Sequence, residues 1–264
     1  MSGWTDAHCH LQDRYRGDDE SRGLDASEAV RRAVAGGVTR AVVIGTDATT
    51  SREALQLVDA LSTELDMRAT VGLHPHDAEQ DVAEIQALAR RGHPRLVGIG
   101  ECGLDYYYEH APKAAQRVSF ATQIALAHEL DLALVIHARD AWDDLFAVLD
   151  SEGMPPRTVI HCFTGGPAEA ERCLAAGADI SISGIVTFKN ATDVRSAVLV
   201  TPLDRLHVET DSPFLTPVPH RGRPNEPAYV ALVGECVAGL LNLPVETVRR
   251  QTAKNTARLF AISG

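Results

Sequence analysis

Eight short apolar runs rich in β-branched residues recur along the chain, and segments of helical pattern separate them. They are TDAHCHL (Thr5–Leu11), RAVVIGT (Arg40–Thr46), MRATVGLHP (Met67–Pro75), LVGIGECGLD (Leu96–Asp105), LALVIHAR (Leu132–Arg139), TVIHCFTG (Thr158–Gly165), DISISG (Asp179–Gly184) and LHVETDSP (Leu206–Pro213). Near-continuous apolar strands are what a parallel sheet buried on both faces requires. His10 in the first run and Asp211 in the eighth are 201 residues apart, seven intervals of about 29 each, which matches a βαβ unit of ~30 residues. Eight such units predict a TIM (β/α)8 barrel. The competing architecture, a doubly wound open sheet, usually carries a Gly-rich first turn, which this chain lacks.

The intervening segments have recognisable ends. DASEAVRRAVAGG stops at Gly36–Gly37, and PAEAERCLAAG starts with proline and stops at Gly177. No linker divides the chain, so residues 1–264 read as one barrel domain, with the Pro-rich stretch Ser212–Pro227 as a stiff loop at its mouth.

Composition narrows the function classes. Hydrophobic content of 45% and charged content of 23% are ordinary for a globular protein. The longest apolar runs fall far short of the ~18 residues needed to cross a bilayer, and no basic stretch leads into an apolar one at the N-terminus. The reading is a soluble cytoplasmic protein with no membrane partner. Five widely spaced cysteines without a CxxC pair are expected as thiols. The formal charge is −11, whereas a protein that coats a polyanion is normally basic. A nucleic-acid substrate would have to be held by a local site.

The acidic and imidazole groups gather at the C-terminal ends of the strands: His8 and His10 on the first, His74 on the third, Glu101 on the fourth, His137 on the fifth, His161 on the sixth, Asp211 on the eighth. Parallel barrels place their active sites on that face. Period-two alternation puts His8 and His10 side by side with Asp6 below, and turns Cys9, Cys102 and Cys162 toward the helices as small core residues. With His74 set apart, the four other histidines and two carboxylates, without a thiolate, suit Zn²⁺, Mn²⁺ and related ions. Six donors exceed what one open catalytic ion needs and suit two ions, Glu101 bridging, with His8, His10 and Asp211 on one and His137 and His161 on the other. Such pairs clamp the attacking and leaving oxygens of a phosphoryl displacement, and Asp211 is placed to accept a proton from water.

The motifs DAHCHL, GLHPH, GECGLDYYY, IHARD, IHCFTGG, ETDSPFL, RGRPNEP and KNTARLF, in this order and spacing, resemble the TatD-type metal-dependent hydrolases of the amidohydrolase-like barrels over nearly the full length. The resemblance implies that His8, His10, Glu101, His137, His161 and Asp211 are ligands of two divalent ions (Mg²⁺, Mn²⁺ or Zn²⁺). It also implies a 3′→5′ exonuclease acting on the 3′ ends of single-stranded DNA or RNA. D-aminoacyl-tRNA deacylation, or another ester or amide hydrolysis at the same centre, is the alternative. A non-catalytic metal- or nucleic-acid-binding protein is a weaker one.

Several further residues border the expected site. His74 is a candidate for binding a phosphate or leaving oxygen. Arg139 is a candidate for gripping a phosphate, against pairing with Asp105 or Asp140. Arg221, with Arg223 and Lys189, offers a local basic rim, or equally a solvated loop. Asn225 and Glu226 are expected to fix their loop by hydrogen bonds. Of Tyr106, Tyr107 and Tyr108, one could stack on a base, and packing is expected for at least two. The run Asp13–Glu20 reads as a solvated loop, and the surface as that of a monomer.

Overall fold

The eight runs form one parallel sheet in chain order: β1 (Trp4–Cys9), β2 (Val38–Ile44), β3 (Asp66–Val71), β4 (Leu96–Asp105), β5 (Ala133–Arg139), β6 (Thr158–Ile160), β7 (Asp179–Ile182) and β8 (Leu206–Val208). The computed structural model describes residues 3–12 and 25–262, so the expected loop over Asp13–Glu20 lies outside the described residues. The seam between β8 and β1 is joined at its C-terminal end. There His10 N–H donates to Ser212 O (2.7 Å), Asp211 N–H donates to His8 O (2.9 Å), and Cys9 pairs with Ser212. The expected barrel is therefore the fold, and the open sheet is set aside.

Helices cover the outside: α1 (Ala26–Ala35), α2 (Ala48–Leu61), α3 (Ala83–Arg90), α4 (Lys113–Leu130), α5 (Trp142–Glu152), α6 (Pro167–Ala176), α7 (Thr192–Val200), α8 (Val230–Leu241) and α9 (Val245–Leu259). Their ends follow from sequence. Asp25 caps α1 by accepting Glu28 N–H (2.8 Å), and Asp47 with Thr50 makes a capping box on α2. Gly177 ends α6 at φ +102°, a conformation that costs glycine little. No single helix among the described residues is long and apolar enough to cross a membrane.

Alternation along the strands builds two apolar layers. Val42, Ile44, Val97, Ala133, Val135 and Val159 fill the barrel interior, joined by Leu259, Phe260 and Ile262 from the end of the chain. Ala41, Val43, Met67, Ala69, Val71, Ile99, Leu134 and Ile136 belong to the larger cluster that includes the helices. Burying each large side chain contributes roughly 1.5–3 kcal/mol. Buried polar groups lie at both ends of this hydrocarbon: Asp179 and His207 near the starts of β7 and β8, and His8, His10, Glu101 and His161 at the C-terminal end.

β3, β6, β7 and β8 are shorter than the sequence suggests, because the chain turns before the expected strands end. Cys162 has φ +41° and Asp211 φ +55°, outside the extended region. His161 and Asp211 therefore lie just past β6 and β8, in turns that aim them over the barrel. β4 is pressed against β5 in the middle: Gly100 sits at φ +136°, where an added Cβ would collide with Val135 O.

Candidate metal centre

The structure brings all six expected ligand residues together around Glu101, which is buried at 3% exposure. Its two oxygens face different groups. Glu101 Oε2 lies 3.4 Å from His8 Nε2 and 3.6 Å from His10 Nε2. Those two nitrogens are 3.1 Å apart and 3.5 and 3.3 Å from Asp211 Oδ1. Glu101 Oε1 lies 2.8 Å from both His137 Nδ1 and His161 Nε2, and 3.3 Å from His74 Nε2. Three overlapping sets emerge (His8–His10–Asp211, His8–Glu101–His161 and His74–Glu101–His137), each with its donor atoms within 4.8 Å of one another.

This donor set fits divalent cations. Imidazole nitrogens pointed at one another across 3.1 Å and a single carboxylate oxygen ringed by three imidazoles leave little for water to satisfy, and no thiolate takes part. The rings are also fixed from behind, as ligating histidines usually are. His10 Nδ1 donates to Ile44 O (3.1 Å), His137 Nε2 to Asp105 Oδ2 (3.1 Å), and His161 Nδ1 lies 3.4 Å from Glu209 Oε1. The hydrogen bonds of His10 and His137 keep a proton on the rear nitrogen and turn the other lone pair toward the cluster, whereas the His161 contact is electrostatic, without a hydrogen bond on Nδ1.

The electrostatics reflect this crowding. Burial pushes Glu101 up, but His161, His74 and His137 outweigh it and hold the carboxyl well below its usual range. Burial also works against the charge on His161, yet Glu101 and Glu209 keep it well above the usual imidazole value. His8 is lowered, by burial first and by His161 next.

His74 behaves differently. Burial lowers it to about 4 despite Glu101, so the ring is neutral. Its Nδ1 accepts His76 N–H (3.2 Å), which puts the ring proton on Nε2, the atom facing Glu101. His74 thus offers a hydrogen-bond donor at the site, where His10 and His137 turn lone pairs toward it.

The remaining expected residues are placed less uniformly. Arg139 does not pair with Asp105 or Asp140. Its guanidinium lies over the rings of Tyr107 (4.2 Å) and Tyr108 (4.9 Å). Arg221 is exposed on the loop after β8, over Phe188 (4.0 Å) and donating to Thr216 O (3.1 Å), with no hydrogen bond or ion pair to the cluster. Asn225 does tie its loop, donating to Thr210 O (2.8 Å) and Phe214 O (2.6 Å), and Glu226 pairs with Arg32 (2.7 Å).

Two expectations need correction. Cys9 and Cys102 do face the helix-side core, but Cys162 does not. The positive φ that ends β6 breaks the alternation and sets its Sγ 3.3 Å from Ser183 Oγ, half-buried. Of the three tyrosines only Tyr106 is packed, its hydroxyl donating to Asp144 (2.6 Å). Tyr107 and Tyr108 are 58% and 51% exposed, because Asp105 Oδ1 accepts both their backbone N–H groups (3.0 and 2.9 Å) and curls the chain outward.

Sequence reasoning passed over Asp105 and Glu209 as orienting carboxylates. Asp105 Oδ2 also takes His76 Nε2 (3.0 Å). Glu209 accepts Cys162 N–H (2.6 Å) and the Ser181 hydroxyl (2.5 Å). Both lie at period-two distance from expected ligands, Asp105 four residues after Glu101 and Glu209 two before Asp211, so the inward-facing rule marks them. The burial that makes them partners rather than solvated charges is not readable from spacing.

Comparison with known proteins places the chain among metal-dependent hydrolases. A family model described as TatD related DNase matches residues 5–261. The chain is 40% identical over 263 residues to the uncharacterized metal-dependent hydrolase YabD of Bacillus subtilis (strain 168), covering 98% of this chain and 99% of that one. It is 37% identical over 247 residues to the 3′-5′ ssDNA/RNA exonuclease TatD of Erwinia billingiae, covering 90% and 94%. Among solved structures it resembles YJJV, a TatD homolog from Escherichia coli K12, with a TM-score of 0.86 and 28% identity over 98% of both chains.

Proposed function

Because the chain belongs to the TatD-related DNase family of metal-dependent hydrolases, we propose that it is a two-ion 3′→5′ exonuclease acting on single-stranded DNA and RNA ends. The observation that carries this reading is the division of Glu101, one oxygen toward His8 and His10 and the other toward His137, His161 and His74. His8, His10 and Asp211 would hold one ion and His137 and His161 the other, with Glu101 between them. The relative from Erwinia billingiae, named for its action on single-stranded DNA and RNA, supports the choice of phosphodiester over other esters.

Divalent ions bound here supply Lewis-acid neutralisation of a phosphoryl group and acidification of water. The chain's own residues do the rest. Asp211, whose carboxyl is held below its usual range by His10 and His8 despite burial, accepts the proton of the attacking water. His74 donates from Nε2 to a phosphoryl or leaving oxygen. Arg139, at the end of β5 two residues after His137, grips a non-bridging oxygen, and Arg221 draws the strand toward the mouth. These cations act locally, against a chain of formal charge −11, and affinity should fall with salt.

The test is a 5′-labelled single-stranded oligonucleotide incubated with Mg²⁺, Mn²⁺ or Zn²⁺, with an EDTA control and Asp211→Ala alongside. A ladder shrinking from the 3′ end, lost with EDTA and in the variant, is expected. No cleavage with any ion would reject the phosphodiesterase reading, and D-aminoacyl-tRNA would then be tested as substrate.

A further inference from the structure

Three of the large apolar or aromatic side chains left exposed stand at the mouth of the barrel, on opposite walls. In a closed sheet of eight strands in chain order, the β8–β1 seam lies opposite the β4–β5 pair. Phe214 follows β8 and is 53% exposed. Its ring meets the His10 ring edge-on, centroids 6.0 Å apart. Tyr107 and Tyr108 follow β4 on the other wall.

Neither group is exposed by being loose. Phe214 N–H donates to Asp211 O (2.9 Å), and its carbonyl accepts from the buried Asn225 (2.6 Å). Tyr107 and Tyr108 are held by Asp105 Oδ1, and the guanidinium of Arg139 lies over both rings. Tyr108 is further stacked on His110, 8° from parallel. Each wall therefore presents aromatic surface on a fixed backbone, and each is tied to a residue of the centre: Phe214 to His10 and Asp211, the tyrosines through Asp105 to His137.

We propose that Phe214 and the Tyr107–Tyr108 pair are the two jaws of a base clamp, receiving the nucleobases on either side of the scissile phosphate. The proposal rests on the phosphodiesterase reading above and adds the part of the substrate recognised. Aromatic faces accept any base, and Arg139, which lies over the tyrosine rings, exchanges that contact for the phosphate as a base takes its place on them. Two bases drawn to opposite walls cannot remain stacked on each other or paired to a second strand, so the clamp selects unpaired ends by shape.

Short single-stranded DNAs carrying 2-aminopurine at the 3′-terminal or penultimate position would be titrated with EDTA-treated protein until anisotropy saturates. Quenching at both positions is expected. Phe214→Ala should restore fluorescence at one of them and Tyr107→Ala/Tyr108→Ala at the other, while Phe214→Tyr and Tyr107→Phe/Tyr108→Phe should keep the quenching. In turnover with an active ion, replacing either base by an abasic residue should raise KM on the order of ten- to a hundredfold, and in the matching alanine variant that preference should collapse toward one. Cleavage with no preference for base over abasic residue, or an unquenched signal at saturation, overturns the clamp and leaves the exonuclease standing. Variant-sensitive quenching without cleavage by any ion upholds the clamp and rejects the exonuclease.

Discussion

Asp105→Asn would isolate what a carboxylate behind the candidate metal centre contributes. Asp105 is fully buried and accepts four hydrogen bonds: Tyr107 and Tyr108 N–H on Oδ1, and His76 and His137 Nε2 on Oδ2. Burial pushes its carboxyl up, but the bonds from His137, Tyr108 and His76 win and hold it well below its usual range. Asparagine keeps the shape and, in one orientation, the acceptor for the two backbone N–H groups. It then turns an amide donor toward His76 and His137. For His137 to give its Nδ1 lone pair to an ion, its Nε2 must carry the proton, so the variant sets donor against donor. The loss is a charge-assisted hydrogen bond, roughly 1.5–3 kcal/mol, in line with the ~10–100-fold loss of metal affinity typical when such a partner is removed. Competition against a chelating dye would measure the Mn²⁺ affinity of wild type and variant, with circular dichroism confirming the fold. An affinity within twofold of wild type would refute the view that Asp105 orients His137.

Three other perturbations probe separate parts of the molecule. His74→Ala should lower kcat on the order of 10²–10⁴-fold with metal affinity little changed, and a comparable fall in metal affinity would instead make His74 a ligand. Asp179, buried at the start of β7 and paired with His207 (2.9 Å), Arg205 and Arg258, has its carboxyl lowered by these partners against burial. A carboxyl lowered from its unfolded value of ~3.9 stabilises at neutral pH and loses that contribution as pH falls through the folded value. Asp179→Asn should therefore cost roughly 1.5–3 kcal/mol at pH 7 and progressively less in acid, read by urea unfolding at several pH values, and a pH-independent difference would contradict it. Gly100→Ala forces a Cβ into Val135 O at φ +136°. It should cost about 2 kcal/mol or more and lower Tm by about 4–8 °C. An unchanged melt would show that β4 can back away from β5.

The barrel and the six donors were legible because one rule governs both. Residues two apart on a strand share a face, and the parallel repeat puts every strand's C-terminal end on the same side, so His8, His10, Glu101 and His137 could be assigned to one pocket. The rule weakens where the backbone leaves the strand. Cys162 at φ +41° and Asp211 at φ +55° take directions that alternation does not describe, and for Cys162 the inference was wrong. The outward curl of Tyr107 and Tyr108 depends on which backbone groups Asp105 captures. The resting place of Arg139 in turn depends on where those rings go. Such features are decided by competition among several acceptors at short range, which residue spacing does not encode.

The seam of the barrel gives the protein a chronology. The donors around Glu101 Oε1 come from residues 74 to 161, whereas the group around Oε2 needs His8 and His10 to meet Asp211, where the last strand docks on the first. A chain leaving the ribosome has the first group in hand well before β8 at Leu206 is made, and gains the second only when the circle of strands shuts. A fragment released early therefore carries half of the cluster and lacks Asp211. On the proposed exonuclease reading, the cluster that would carry the chemistry stays incomplete until the circle of strands shuts.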